Sequence, residues 1–159
     1  MNKIAIIVTS LVLLAVAGVF VFKSEGAPKL VVYKNAACGC CGSWIDHMKA
    51  AGYEVEVHDV DDLNSIKQQH GVGGNLASCH TAIIDGYVVE GHVPAEDVTR
   101  LLAERPAVMG IAVPGMPVGS PGMEQGDPAD YHAYDVVTFD GTGASSVFRS
   151  VPGGSNSMP

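Results

Sequence analysis

Residues 30–44 read LVVYKNAACGCCGSW and contain three of the four cysteines of the chain. The apolar run Leu30–Tyr33 predicts a short buried strand, and Trp44–Ala51 predicts a helix that ends at Gly52. The cysteines therefore fall on the turn between the strand and the helix. Unpaired backbone N–H groups and the helix dipole stabilise negative charge at such a turn. We therefore expect Cys38 to be acidified, and either reactive or bound to a soft metal.

The pattern after this turn predicts an α/β domain. Residues 54–60 alternate polar and apolar side chains, which favours a strand with Val55, Val57 and Val60 on its buried side. The next predicted elements are a helix, a hairpin and a helix: Leu63–His70 after the Asp61-Asp62 cap, Thr81–Asp85 and Tyr87–Glu90 around the Asp85-Gly86 turn, and Pro94–Glu104 before Pro106. The order βαβ, helix, β-hairpin, helix, with C-x-x-C at the first junction, is that of a thioredoxin-like core.

The N-terminal residues predict export. An apolar run from Ile4 to Phe22 lies between Lys3 and Lys23, as in a signal peptide. Its length is also close to the ~20 residues that a membrane-spanning helix needs. We therefore expect residues 1–26 to be a signal peptide or an N-terminal membrane anchor. The predicted location is periplasmic, with residues 3–23 as the segment that would anchor the protein to the inner membrane.

Three further segments follow from the composition. Residues 27–105 form the predicted thioredoxin-like metal-binding core, residues 106–151 a Met/Gly/Pro-rich loop with a β-hairpin extension, and residues 152–159 a disordered tail. The extension hairpin is expected at Tyr134–Phe139 and Ala144–Phe148, where it either extends the sheet or packs over the loop.

The charge balance excludes one class of partner. With 9 Lys+Arg and 17 Asp+Glu the net charge is 9 − 17 = −8. Nucleic-acid binding requires a basic surface, so no nucleic-acid partner is expected. Membrane contact is expected only through the N-terminal segment.

The fourth cysteine lies in Ser78-Cys79-His80-Thr81. Thioredoxin-like folds place a cis-proline followed by Thr just before the third strand, facing the thiol pair. If Thr81 is the equivalent threonine, His80 takes the place of the proline. That proline helps to keep metals away from the thiols, whereas a thiol and an imidazole attract them.

These motifs, together with Gly91-His92-Val93-Pro94 and the later Gly-Met-Pro segment, resemble the CopG-type family of bacterial periplasmic copper-resistance proteins. The resemblance runs from about Lys29 to Phe148 and rests on C-x-C-C combined with a distant C-H pair. It implies a thioredoxin-like fold that binds a thiolate-bridged copper cluster and interconverts Cu(I) and Cu(II).

The donor chemistry also favours copper. Thiolates and thioethers select Cu(I), and imidazole accepts either copper oxidation state. Zinc is the competing metal, with Cys38, Cys41, Cys79 and His80 as a Cys₃His set. Against zinc, Cys40 would be left over, and Cys79 and His80 should point to opposite sides of an extended backbone. We therefore predict a polynuclear Cu(I) site. Its predicted ligands are Cys38, Cys40, Cys41, Cys79 and His80, followed by His92, Met116 and Met123.

Other histidines and methionines carry weaker signals. His47 and His58 are interpreted as solvated surface residues, and His70 as a partner of a helix C-terminus. Met109, Met116 and Met123 recur at seven-residue intervals where Pro and Gly prevent a helix. A loop that presents thioethers is one interpretation, and core filling by methionine is the other.

Two rival functions fit the same residues. One is a thiol-disulfide oxidoreductase acting on periplasmic proteins, which the absent cis-proline disfavours. The other is a copper carrier without turnover, so the sequence does not decide whether the protein is a copper oxidoreductase. All four cysteines can also simply pair in an oxidising compartment. The expected partners are copper ions and other periplasmic copper-handling proteins.

Overall fold

The computed structural model describes residues 28–156. The predicted signal peptide or anchor, residues 1–26, lies outside the described residues. The helices and strands are β1 (Leu30–Lys34), α1 (Gly39–Ala50), β2 (Val55–Asp59), α2 (Leu63–Gln69), β3 (His80–Ile84), β4 (Tyr87–Glu90), α3 (Ala95–Glu104), β5 (Gly110–Ala112), a short 3-10 helix (Pro128–Asp130), β6 (Tyr134–Phe139) and β7 (Ser145–Val151). No helix within residues 28–156 is long and apolar enough to cross a membrane.

The fold is mixed α/β, as predicted, with one seven-stranded sheet in the order β2-β1-β3-β4-β5-β6-β7. Strand β1 is parallel to β2 and antiparallel to β3, and β3 is antiparallel to β4. These four strands are compatible with the predicted thioredoxin-like core. The C-terminal hairpin β6–β7 extends the sheet through β5, which confirms one of the two predicted placements.

Helix α1 is held against the sheet by one apolar face. Its buried residues are Cys41, Trp44, Ile45 and Met48, a spacing that places all four on one side of a helix. Trp44 is fully buried, and its indole N–H donates to the carbonyl of Val93 at 2.8 Å. Because this face begins at Cys41, the packing of α1 also fixes the turn that carries Cys38, Cys40 and Cys41, here called the cysteine turn.

Two predictions about the elements need correction, and one strand was not predicted. Helix α1 begins at Gly39 and not at Trp44, because Cys38 is its N-cap and the following cysteines form its first turn. Val57 is 39% exposed, because β2 is an edge strand. Strand β5 was not expected within the Met/Gly/Pro-rich loop; it forms because β4 and β6 pair with it on either side.

Candidate metal centre

The N-terminus of α1 carries three of the sulfurs. Cys38 caps the helix, while Cys40 and Cys41 lie in its first turn. Cys38 and Cys41 are joined by a disulfide, and Cys40 and Cys79 are free, half-buried thiols. The C-x-x-C pair is therefore oxidised here, so its two sulfurs must be reduced before they can act as thiolates.

Cys79 completes a cluster of four sulfurs. Its Sγ lies 3.7 Å from that of Cys40 and 3.5 Å from that of Cys41. The Sγ atoms of Cys38 and Cys40 are 3.6 Å apart. All four sulfurs lie within 4.8 Å of one another, a separation at which several of them can contact one ion.

A second donor group shares Cys79 with the first. The Sγ of Cys79 lies 3.0 Å from Nε2 of His92 and 3.3 Å from Nδ1 of His80. The expectation that Cys79 and His80 point to opposite sides is wrong. Cys79 lies at a bend, and β3 begins only at His80, so the alternation of an extended strand does not apply. Cys79, His80 and His92 can hold a metal ion together.

The two imidazoles differ in their hydrogen bonds. Nδ1 of His92 lies 2.8 Å from the carbonyl oxygen of Pro121, which can only accept, so Nδ1 carries the proton and Nε2 presents a lone pair to Cys79. His80 is fully buried, and among the described residues its Nε2 has no hydrogen-bond partner. A buried nitrogen without a partner destabilises the fold, unless the site binds a ligand there.

Burial controls the protonation of this group. It lowers the pKa of His92 and lowers that of His80 well below its usual range, where nearby His92 and Lys67 add to the effect. Both rings are therefore neutral at pH 7, as a metal ligand requires. Burial, followed by the charge of Cys40, raises the pKa of Cys79 to about 12. A cation at the centre would stabilise the thiolate that burial disfavours.

A loop of the extension covers the cysteine turn. Gly122 has a φ of +83°, and a Cβ at this position would lie 2.7 Å from the backbone N of Trp44 and 2.9 Å from the carbonyl oxygen of Cys40. Only glycine permits this approach, because both the left-handed backbone and the contact distance exclude a side chain. The loop also supplies the Pro121 carbonyl that orients His92.

The methionines occupy different environments. Met123 follows Gly122 in this loop and is half-buried, while Met116 is 52% exposed. Met109 packs against a small core cluster that includes Val72 and Phe139, which fits core filling by methionine. The roles of Met116 and Met123 as ligands stay predictions.

A buried ion pair behind Cys79 was not anticipated from the sequence. Lys67 donates to the carboxylate of Glu90 and to the hydroxyl of Thr81, and all three side chains are buried. One signal was available: Glu90 ends a strand whose preceding residues, Val88 and Val89, are apolar. Its partner on α2 is far away in the sequence, so the pair itself had no local signature.

The two histidines that were interpreted as surface residues lie in different settings. His58 is exposed and its Nε2 lies 2.7 Å from a carboxylate oxygen of Glu56, in agreement with the surface interpretation. His47 is half-buried and accepts a hydrogen bond at Nε2 from the backbone N–H of Ala95, so the surface interpretation is wrong there. That bond satisfies a free N–H at the start of α3.

Comparisons with known proteins identify the family. A family model described as a protein of unknown function, DUF411, matches residues 76–123. Two solved structures, titled copper resistance protein copG in form 2 and form 1, are 46% and 47% identical to the chain. Each superposes with a TM-score of 0.75, and each match covers 80% of this chain and 100% of that chain. No curated protein matches the chain.

This chain belongs to the CopG family of copper-resistance proteins. The predicted family resemblance is thereby confirmed. Membership in the CopG family and the cysteine/histidine cluster together support a role in copper binding. The individual ligands, namely Cys38, Cys40, Cys41, Cys79, His80 and His92, are brought together by the fold and stay predictions as ligands.

Proposed function

We propose that this protein binds Cu(I) in a polynuclear cluster bridged by the thiolates of Cys38, Cys40, Cys41 and Cys79, and that it contributes to copper resistance in the periplasm. The observation that carries the proposal is the convergence of four sulfurs within 4.8 Å. Thiolates are soft donors that select Cu(I) over hard cations. The apolar N-terminal run supports export, either as a signal peptide or as an anchor through residues 3–23.

The shared position of Cys79 favours copper over zinc. A structural zinc site is one closed tetrahedron of four ligands. Here two donor groups overlap at Cys79, one with four sulfurs and one with two imidazoles. A sulfur that belongs to both groups suits a bridge between metal ions, and this leaves no cysteine unused.

The imidazole group supports interconversion of Cu(I) and Cu(II) at the same centre. Imidazole is comfortable with both oxidation states, whereas the thiolates favour Cu(I). The electrons balance within the protein: when the Cys38 and Cys41 thiols close to the disulfide, they release two protons and pass two electrons to two Cu(II) ions, which become Cu(I). Because disulfide sulfurs are no longer thiolates, Cys40, Cys79 and the imidazoles would hold the Cu(I) formed in this step. In the reverse step two Cu(I) ions give up two electrons, which together with two protons reduce the disulfide to two thiols. Other periplasmic copper-handling proteins are the expected source or destination of the ions.

Metal analysis tests this proposal. The protein is purified anaerobically from copper-supplemented cells, its copper and zinc are counted per chain, and its free thiols are titrated. We expect several Cu(I) ions per chain that an excess of zinc does not displace. One tightly bound zinc ion without copper would refute the proposal. A copper carrier without turnover would bind the same ions but would not change their oxidation state in an anaerobic Cu(II) reduction assay.

A second candidate is a thiol-disulfide oxidoreductase, which the Cys38–Cys41 disulfide at a helix N-terminus favours. Against it, His80 replaces the expected proline, and the loop at Gly122 packs onto the cysteine turn. Reduction of insulin at a rate typical of thioredoxins, together with unchanged copper content in His80→Ala and His80→Pro, would favour this candidate. We expect instead that His80→Pro loses most copper, because proline also constrains Cys79.

A further inference from the structure

The buried carboxylate of Glu90 lies next to the segment Ser78–Thr81, which carries Cys79 and His80. Glu90 is fully buried, and the Lys67 side chain is only 7% exposed. Lys67 donates one hydrogen bond to Glu90 Oε1 and another, of 3.0 Å, to Thr81 Oγ1. The lysine thus compensates the buried charge of the carboxylate.

Glu90 accepts hydrogen bonds from residues on either side of two predicted ligands, Cys79 and His80. Its Oε1 accepts from the backbone N–H of Ser78 at 2.6 Å, and its Oε2 accepts from the hydroxyl of Thr81 at 2.7 Å. Ser78 precedes Cys79, and Thr81 follows His80. One carboxylate therefore holds the chain immediately before and immediately after the Cys79-His80 pair.

The neighbouring backbone is shaped for the same contact. Gly91, directly after Glu90, has a φ of +73°, and a Cβ there would lie 2.5 Å from the side chain of Ser78 and 2.7 Å from the carbonyl of Val113. Ser78 is thus held on one side by the carboxylate and on the other by close backbone packing.

We propose that Glu90, held in place by Lys67, is a positioning residue that fixes Cys79 and His80 opposite the cysteine turn. In this way a charged network does what a rigid proline would otherwise do in this part of the fold. The consequence for copper rests on the proposed function; the consequence for the thiol geometry does not, because it concerns the metal-free chain.

The first experiment therefore uses metal-free protein with the Cys38–Cys41 disulfide intact. Cys40 and Cys79 are then the two free thiols, with their Sγ atoms 3.7 Å apart. Dibromobimane, a short reagent that bridges two thiols, reports their proximity by the rate of cross-linking. An amide has one acceptor oxygen and cannot accept on both sides, so Glu90→Gln should slow cross-linking about tenfold, the factor expected for one lost hydrogen bond to a charged group.

Milder variants keep the test decisive if Glu90→Gln does not fold because Lys67 is left unpaired. Thr81→Val removes one of the two flanking bonds in a side chain of equal shape, and Thr81→Ser retains the hydroxyl. We expect slower cross-linking in Thr81→Val and a wild-type rate in Thr81→Ser. Lys67→Met combined with Glu90→Gln removes both charges and should also slow the reaction.

Asp97→Asn is the matched control. Asp97 is 1% exposed and pairs through both carboxylate oxygens with Arg149, linking α3 to β7. We expect Asp97→Asn to lower the thermal midpoint without changing the cross-linking rate. A purely structural role for Glu90 would give the same pattern in Glu90→Gln and Thr81→Val: a lower thermal midpoint with a wild-type rate. That result would overturn the inference.

Copper binding provides the second measurement. Competition with a coloured Cu(I) chelator gives the Kd of the reduced protein, and we expect Thr81→Val to raise it while Thr81→Ser and Asp97→Asn leave it unchanged. If the wild-type protein binds no Cu(I), the proposed function fails, and the cross-linking rates still decide the positioning role. If copper binds and all variants share both the wild-type Kd and the wild-type rate, only the positioning role fails.

Discussion

Three sulfurs of the candidate metal centre come from the first turn of α1, here called the turn side. The other donors form the strand side: Cys79 lies at the bend before β3, His80 is the first residue of β3, and His92 follows β4. The turn side contains only sulfur and is fixed by the packing of α1. The strand side mixes sulfur with two buried imidazoles, and its geometry depends on contacts with distant residues such as Glu90 and Pro121. The two sides therefore differ both in donor type and in how they are held.

The two sides should therefore contribute differently to copper binding. The turn supplies soft donors at short spacing, the donor type that the proposed Cu(I) cluster requires. The strand side supplies donors that tolerate either oxidation state, on backbone that tertiary contacts fix. Changes on the turn should mainly alter how much copper binds, and changes on the strand side should also alter stability and redox behaviour.

The largest effect is expected at Cys79, where the two sides meet. Cys79→Ser should remove most bound copper, because this sulfur belongs to both donor groups. Cys40→Ser, on the turn side alone, should remove less. Copper per chain after anaerobic loading and desalting measures both. Full copper in Cys79→Ser, with losses only in the C-x-x-C variants, would show that the two sides do not share a cluster.

Oxidation of the turn should have the next largest effect. A disulfide sulfur is not a thiolate, so protein with the Cys38–Cys41 bond intact should bind fewer Cu(I) ions than fully reduced protein. A Cu(I) titration of both forms, followed by a thiol count, measures this difference. Equal stoichiometry in the two forms would assign copper to Cys40, Cys79 and the imidazoles alone.

Substitution of the two imidazoles should have opposite effects on stability. His80→Leu removes a buried nitrogen that has no partner among the described residues, so the free energy of unfolding of the metal-free protein should rise by about 1 kcal/mol. His92→Leu leaves the Pro121 carbonyl without its donor and should lower that free energy by about 1 kcal/mol. Urea denaturation checks the signs. Equal losses in both variants would mean that His80 is a structural residue.

The pH dependence of stability should reveal the buried thiol. The pKa of Cys79 is raised from its ordinary 9.0 to about 12, so the folded metal-free protein holds this proton more tightly than the unfolded chain. The contribution of this proton to the free energy of unfolding is fully present below pH 9.0 and is lost as the pH rises toward about 12. Because burial also raises the pKa of Tyr134, the comparison is between wild type and Cys79→Ser. Identical pH profiles would contradict the burial of an uncharged Cys79 thiol.

The smallest effect is expected at His47, outside both donor groups. His47→Ala removes the acceptor for the backbone N–H of Ala95 and should cost about 1 kcal/mol of stability, as helix caps do. Copper content should not change. A loss of copper in this variant would show that packing of α3 against α1 controls the turn side.

Local signals in the sequence were sufficient for the turn side. The C-x-C-C motif, the apolar face of α1 and the Asp85-Gly86 turn each depend on residues close in the chain, and Asp85 and Gly86 indeed have φ values of 48° and 84°. Strand β6 was predicted with its observed bounds, and the turn formers Asp140-Gly141 mark its end. Even so, the start of α1 was misplaced, because Gly39, Cys40 and Cys41 have no helical pattern of their own.

The strand side required the tertiary structure. His92 was singled out only for its motif, since its contact with Cys79 depends on β4 lying beside β3. Lys67 and Glu90 are separated by 23 residues and form a pair that neither local sequence indicates. Strand β5 has only three residues, which is too short for a periodic signal.

Because Trp44 is buried beside His80, its fluorescence should report on the candidate metal centre. Trp44 is the single tryptophan of the chain, and its ring centroid lies 4.3 Å from that of His80. All indole emission therefore originates beside the strand-side donors, without interference from a second fluorophore of this type. Arrival of an ion, a change in its oxidation state or displacement of the imidazole would alter the quantum yield of the same reporter. Stopped-flow recordings could then follow the unlabelled chain through each step of copper exchange.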